Sequence, residues 1–303
     1  MKMKTLALAL ALTAFGSSAK TVEVEHIKGT TKVETKPERV VVIGLGPLDT
    51  VKALGVEPVA VSTVSMFPDY LAQYRDGEFV SAGSLFEPDF ETIYTQKPDL
   101  IVVGPRGAGK YKELSEIAPT IVYAVDKSKG YWEGTQQEWR KLGEVFEKEA
   151  LVEQQIAKLD KEFKQLQDYN QTNKVDALTV MSAGGNITTF GEKSRFGSIY
   201  KDFGFVETVP GIKESRHGDL ISYEFIRENN PSTLLIVDKD ILINKGKESS
   251  VKRDFENDLV KGTNAYKNKK MAYLDINAWY LSISGMRATE QMLNDVKSAS
   301  GLN

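Results

Sequence analysis

His217 is one of only two histidines in 303 residues, and it stands in the polar stretch ESRHGDLISYEF, Glu214 to Phe225, between Arg216 and, past Gly218, Asp219. An imidazole in such a setting can ligate a metal or move a proton near neutral pH. The other histidine, His26, lies near the N-terminus in a mixed polar strand pattern and is expected at the surface. Two histidines are too few for the usual zinc constellation, and the absence of cysteine removes disulfides, thiolate metal sites and thiol nucleophiles. A second stretch invites a phosphate reading. Gly104 to Lys110, GPRGAGK, matches the first seven positions of a P-loop between a strand and a helix pattern, but the next residue is Tyr111, where magnesium needs Ser or Thr. The simpler expectation there is a flexible strand-to-helix turn. No Gly-x-Ser-x-Gly elbow occurs, so hydrolase chemistry has little support.

Cations enter through an internal echo. FETIYTQKPDLIVVGPR, Phe90 to Arg106, and YEFIRENNPSTLLIVDK, Tyr223 to Lys239, align without a gap through Ile93 and Ile226 and through Pro98 and Pro231. Each copy ends in a cation, Arg106 or Lys239, just past an apolar run, where open α/β sheets bind ligands. Each also carries a glutamate, Glu91 or Glu224, seven residues before its proline. Duplication of an α/β unit explains both correspondences.

The elements around these residues alternate. Arg39 to Ile43 is a continuous apolar run ending in Gly44-Leu45-Gly46-Pro47, after which Leu48, Val51 and Leu54 recur at helical spacing. The pattern returns at Asp99 to Val103, and a second set begins at Ala177 to Met181, continuing through Thr233 to Val237 and Met271 to Leu274. Buried strands with helical crossovers predict mainly parallel sheets in an α/β fold. Between them Val152, Ile156, Leu159, Phe163 and Leu166 form one apolar stripe on a charged helix, read as a spine joining two lobes. The expected layout is an N-terminal lobe over 20–148, a linking helix over 149–171 and a C-terminal lobe over 172–303.

Composition bounds the class. A 41% hydrophobic and 27% charged chain is that of a soluble globular protein, and a net charge of -3 gives no basic field for nucleic acid. Residues 1–19 read as a signal peptide: Lys2 and Lys4, an apolar core from Thr5 to Phe15 too short to span a bilayer, and a small-residue cleavage site at Ser17-Ser18-Ala19. Without a cysteine there is no lipid anchor at that site, so a soluble periplasmic protein is expected.

The chain resembles the periplasmic siderophore-binding proteins of ABC importers, in which two Rossmann-like lobes are joined by one long helix. It is most similar to their catechol-siderophore branch, the CeuE- and VctP-like binders. The resemblance runs over nearly the whole mature chain, through KPERVVVIGLGPLDTVKALG, KPDLIVVGPR, SRFGSIYKDFGF, HGDLIS and AYLDINAWYLSISG. It implies that His217 and Tyr280 complete the coordination of a catecholate-bound ferric ion, and that Arg106, Arg195 and Lys239 surround the anionic complex. Lys239 departs from the arginine common in the branch, keeping the charge without the planar fork. It further implies that Glu91 and Glu224 dock on arginines of the permease, that no intrinsic cofactor is held, and that the protein is a monomer and no enzyme.

The implied chemistry is coherent. Ferric iron is hard and favours oxygen donors such as a tyrosine phenolate, whose proton the metal displaces. A bis-catecholate supplies four oxygens and leaves two positions, which one His and one Tyr would fill. Because His and Tyr also ligate haem iron, a haem or cobalamin carrier of the same fold is the alternative; an exported NTPase or hydrolase is the competitor from another class.

Overall fold

The computed structural model describes residues 20–212, 218–244 and 249–302. The proposed signal segment 1–19 and His217 lie outside the described residues. A hairpin of β1 (Thr21–His26) and β2 (Gly29–Glu34) precedes the first sheet. That sheet is wholly parallel in the order β5-β4-β3-β6-β7, from β3 (Val40–Ile43), β4 (Ala60–Thr63), β5 (Ser81–Ser84), β6 (Leu100–Val103) and β7 (Thr120–Val122). All four residues of β3 and all four of β6 are buried, as strands covered by helices on both faces must be.

The second sheet is mixed. It contains β8 (Asp176–Ala183), β9 (Asn186–Phe190), β10 (Val206–Glu207), β11 (Asp219–Ile221), β12 (Thr233–Asp238) and β13 (Met271–Leu274), in the order β11-β9-β8-β12-β13 with β10 beside β8. Pairings among β8, β12 and β13 are parallel, while β9 is antiparallel to both β8 and β11. The reversal follows from Gly184-Gly185: both have positive φ, 61° and 80°, the backbone that a two-residue hairpin turn demands.

Helix Glu149–Thr172 runs between the two sheets in sequence, a rod about 36 Å long at 1.5 Å per residue. Val152, Ile156, Leu159, Phe163 and Leu166 are all buried along it. Helix Tyr131–Phe146 precedes it, separated by Glu147 in a left-handed conformation. A single apolar core passes through the lobes and both helices, with a separate smaller cluster on the other face of each sheet. Within the main core Trp132 stacks on Phe163 at 4.5 Å, Phe163 on Phe203 at 4.9 Å, and Phe203 lies 5.7 Å from Trp279. This aromatic row ties the first lobe's helix, the long helix and the second lobe together.

Polar bonds cross the same seam in both directions. Helix Met286–Ser300 begins at Gly285 and helix Tyr131–Phe146 at Gly130, neither of which has a side chain to cap with. Asp49 of the first lobe accepts from Ala288 N at 2.9 Å, and Asp202 of the second accepts from Trp132 N at 2.8 Å. Each lobe thus caps a helix of the other, an interaction worth about 1 kcal/mol apiece.

His26 differs from its expected surface setting. It is half-buried, with Nε2 2.9 Å from Thr31 Oγ1 and its ring edge-on to Tyr111 at 5.1 Å. Thr31 donates to Thr120 O, laying the hairpin over this corner, and burial lowers the imidazole pKa.

Candidate functional site

Strand β13 ends at Leu274, and Asp275 follows it, its Oδ1 accepting from Ala278 N at 2.8 Å to start one turn of π-helix, Asn277–Leu281. On that turn Ala278 and Trp279 are buried, and Trp279 Nε1 donates to Asp295 of the C-terminal helix at 2.8 Å. With its neighbour anchored inward, Tyr280 is turned into the half-exposed position that the cations surround. π-turns are often found at functional sites.

Three cations meet at that ring. The Arg195 guanidinium carbon, on the loop between β9 and the short helix Ser198–Lys201, lies 3.9 Å from the ring centroid. Lys239 Nζ, just past β12, is at 5.6 Å, and the Arg106 guanidinium carbon, past β6 in the other lobe, is at 5.7 Å. Burial pushes the Tyr280 phenol up, but the hydrogen bond and charge of Arg195, joined by Lys239, outweigh it and leave the pKa below the ordinary tyrosine value. The surroundings therefore ease loss of the phenol proton, which a hard metal would displace on binding.

Arg195 and Lys239 make no ion pair among the described residues, and Arg195 Nε is buried without a hydrogen-bond partner. Arg106 has a second task that its position in sequence does not reveal: it donates to Tyr280 O at 2.7 Å and to Leu281 O at 3.4 Å. Arg106, Arg195, Lys239 and Tyr280 are thus brought together. Gly218, the residue after His217, has φ 77° and packs so closely that a Cβ would meet Phe190 Cζ and Thr189 O at 2.8 Å each. Only glycine fits where the chain enters β11.

Glu91 and Glu224 are apart from this cluster. Each is exposed in the first turn of a short helix, Phe90–Thr95 or Tyr223–Asn229, capped respectively by Asp89 and Ser222. The P-loop-like stretch holds no phosphate cradle: Ala108–Lys110 is a 3₁₀ turn and Lys110 pairs with Glu87 at 3.2 Å. Among the described residues there is no cluster of three His, Asp or Glu side chains fit to hold a metal alone. An iron at Tyr280 would have to bring most of its donors with it. The far side of the π-turn also has a feature that the sequence reading lacks: Asn277 and Asp275 line a cavity of about 570 Å³ against Met66, Phe67 and Tyr70.

Two α/β lobes joined by a long helix, with cations of both lobes around one phenol, define a two-lobed binding protein. The chain belongs to the Periplasmic binding protein family, which residues 40–278 match. It is 38% identical to the petrobactin-binding protein YclQ of Bacillus subtilis, over 91% of this chain and 87% of that one. Identity to the ferric-anguibactin-binding protein FatB of Vibrio anguillarum is 31%, over 91% and 86% of the two chains. The solved structure of the periplasmic catecholate-siderophore binding protein VctP from Vibrio cholerae superposes with a TM-score of 0.88 at 61% identity, covering 92% of this chain and 100% of that one. No helix among the described residues is long and apolar enough to cross a membrane.

Proposed function

We propose that this protein captures ferric catecholate siderophores in the periplasm and delivers them to an inner-membrane ABC importer. The observation that carries this reading is the convergence of Arg106, Arg195 and Lys239 on Tyr280. A ferric catecholate is polyanionic, and charge-assisted contacts to it are roughly twice as strong as neutral ones. Tyr280 supplies one oxygen donor to iron, and His217 supplies the second ligand when the chelate leaves two positions open. The catecholate siderophore bound by VctP, the petrobactin bound by YclQ and the ferric anguibactin bound by FatB support the ligand class. In this reading residues 1–19 direct export, the protein acts as a monomer without catalysis, and the two exposed glutamates, Glu91 and Glu224, meet the permease.

The test is a titration of the mature protein with ferric complexes of catecholate, hydroxamate and citrate type, and with haem, followed by fluorescence quenching and visible spectra. Saturable binding of the catecholate complexes with a broad charge-transfer band is expected. A sharp Soret band with haem alone, or no preference for catecholates, would overturn the assignment. Replacing Glu91 and Glu224 together by alanine should abolish uptake and leave the titration unchanged; normal uptake would remove the docking role.

A further inference from the structure

The chain after Tyr280 belongs to the second lobe by connection but is fastened to the first by contact. Arg106 holds the carbonyls of Tyr280 and Leu281. Gly46 lies so close to Ile283 O that a Cβ there would be 2.6 Å away. Ser284 adopts a left-handed backbone, φ 69°, a conformation costing about 1 to 2 kcal/mol for a residue other than glycine. Its carbonyl accepts two bonds, from Tyr123 Oη at 2.6 Å and Trp139 Nε1 at 2.7 Å, both from buried side chains of the first lobe. Asp49 then packs against Gly285 and accepts from Ala288 N. Within the segment itself Ser282 N closes the π-turn onto Asn277 O at 2.7 Å.

From this fastening we infer that Tyr123 is a positioning residue for the iron ligand: by holding Ser284 O it fixes the left-handed turn that aims the Tyr280 phenolate at the ligand. The inference rests on the reading of Tyr280 as a ligand to ferric iron. The physical reason is leverage. Ser284 lies four residues past Tyr280, and Gly285 N closes back onto Ser282 O at 2.8 Å, so relaxing the strained turn shifts the end of the π-turn. Tyr123 touches neither the ring of Tyr280 nor any cation around it in these bonds, so its action on the ligand runs through the backbone. One consequence is that the phenolate stays registered to Arg106 of the first lobe while Arg195 and Lys239 approach it from the second.

The experiment compares two ferric probes, a synthetic linear bis-catecholamide that leaves two coordination positions open and a tris-catecholamide that leaves none. Tyr123→Phe removes one hydroxyl and keeps the ring; Trp139→Phe removes the other donor to Ser284 O and is measured beside it, with Tyr280→Phe as reference. Thermal denaturation first establishes that each variant is folded. Tyr123→Phe is expected to weaken the bis-catecholamide complex by about fivefold or more and the tris-catecholamide by less than about twofold. Its charge-transfer band with the bis-catecholamide should move in the same direction as that of Tyr280→Phe. If Tyr280→Phe separates the probes while folded Tyr123→Phe and Trp139→Phe do not, or weaken both probes alike, the positioning role is overturned. If Tyr280→Phe itself treats the probes alike, the ligand reading falls and the inference with it.

Discussion

The seam between the lobes and the cleft above it solve the burial of polar groups in opposite ways. At the seam charges and carbonyls are paired across the lobes: Asp49 with Ala288 N, Asp202 with Trp132 N, and Ser284 O with two donors. What stays unpartnered there is neutral, the hydroxyls of Thr135 and Ser282. In the cleft the unpartnered buried atom belongs to a charged group, Arg195 Nε, and Lys239 adds a second cation that makes no ion pair among the described residues. A buried N–H left without a partner costs stability, and an anionic ligand that accepted from it would restore that cost. The difference assigns rigidity to the seam and affinity to the cleft.

The seam can be probed through Asp49, where the largest effect on stability is expected. Burial raises its pKa to about 7, opposed by the bonds from Ala288 N and Arg287 N and by the Arg287 charge, with Glu290 adding to the rise. Buried Tyr70 and Tyr123 also face it. The ordinary aspartate value is about 3.9, so between pH 4 and 7 the native state binds a proton that the unfolded state has released. Stability from this group is therefore highest in acid and falls as pH rises to about 7. Asp49→Asn has no such proton; its unfolding free energy minus that of the parent should grow from near zero at pH 4 to a gain at pH 8 on the order of a few kcal/mol. Asp202, Asp275 and Asp295 are raised by burial in the same sense, so the difference between variant and parent is the measure. A difference flat across pH would show that Asp49 is ionised as in water and that the seam stores no such cost.

Arg195→Ala attacks the other half of the comparison. It should weaken a ferric catecholate complex by about 1.5 to 3 kcal/mol, the range for hydrogen bonds to charged groups. Because the guanidinium leaves no ion pair behind, Tm of the unliganded protein should hold or rise. The Tyr280 pKa, followed by ultraviolet titration, should rise as its nearest cation is lost. A fall in Tm without loss of binding would make Arg195 part of the scaffold, and the contrast with the seam would disappear.

Periodic features of the fold were legible in the sequence, and contacts across the lobes were not. Apolar runs such as Val40 to Ile43 and the stripe from Val152 to Leu166 mark strands and helix because burial imposes its period on residue type. The antiparallel β9 has its own local signal in Gly184-Gly185, a two-residue hairpin turn set among parallel units. Arg106 and Lys239 were visible through the internal echo, since a duplicated strand carries its terminal residue with it. Arg195 and Tyr280 had no local signal and came only from resemblance. Nothing in the sequence marks Asp49 or Ser284. An aspartate inside an amphipathic helix reads as a solvated side chain, and its role as a cap arises from Gly285, 236 positions later in the numbering. Capping between elements distant in the chain follows no period, so only the folded structure reveals it.

Lys239 gives the smallest expected effect and the finest discrimination. Its Nζ is 5.6 Å from the Tyr280 centroid, against 3.9 Å for the Arg195 guanidinium, and an ammonium is a hydrated point charge without a fork to grip a catecholate oxygen pair. Lys239→Ala should therefore weaken binding by less than Arg195→Ala, about 1 kcal/mol or under, and more of it should vanish with salt because a long-range charge is screened within roughly 8 to 10 Å. Lys239→Arg introduces the fork at the same place. If that variant binds more tightly than the parent at high salt, the site can use a bidentate contact that lysine does not make. Equal binding would mean that position 239 contributes only field, while loss would mean that the space beside Tyr280 is shaped for the ammonium. Since Lys239 N is bonded to Ser182 O at 3.0 Å whatever its side chain, none of these changes should move Tm, which keeps the result on the cleft side of the comparison.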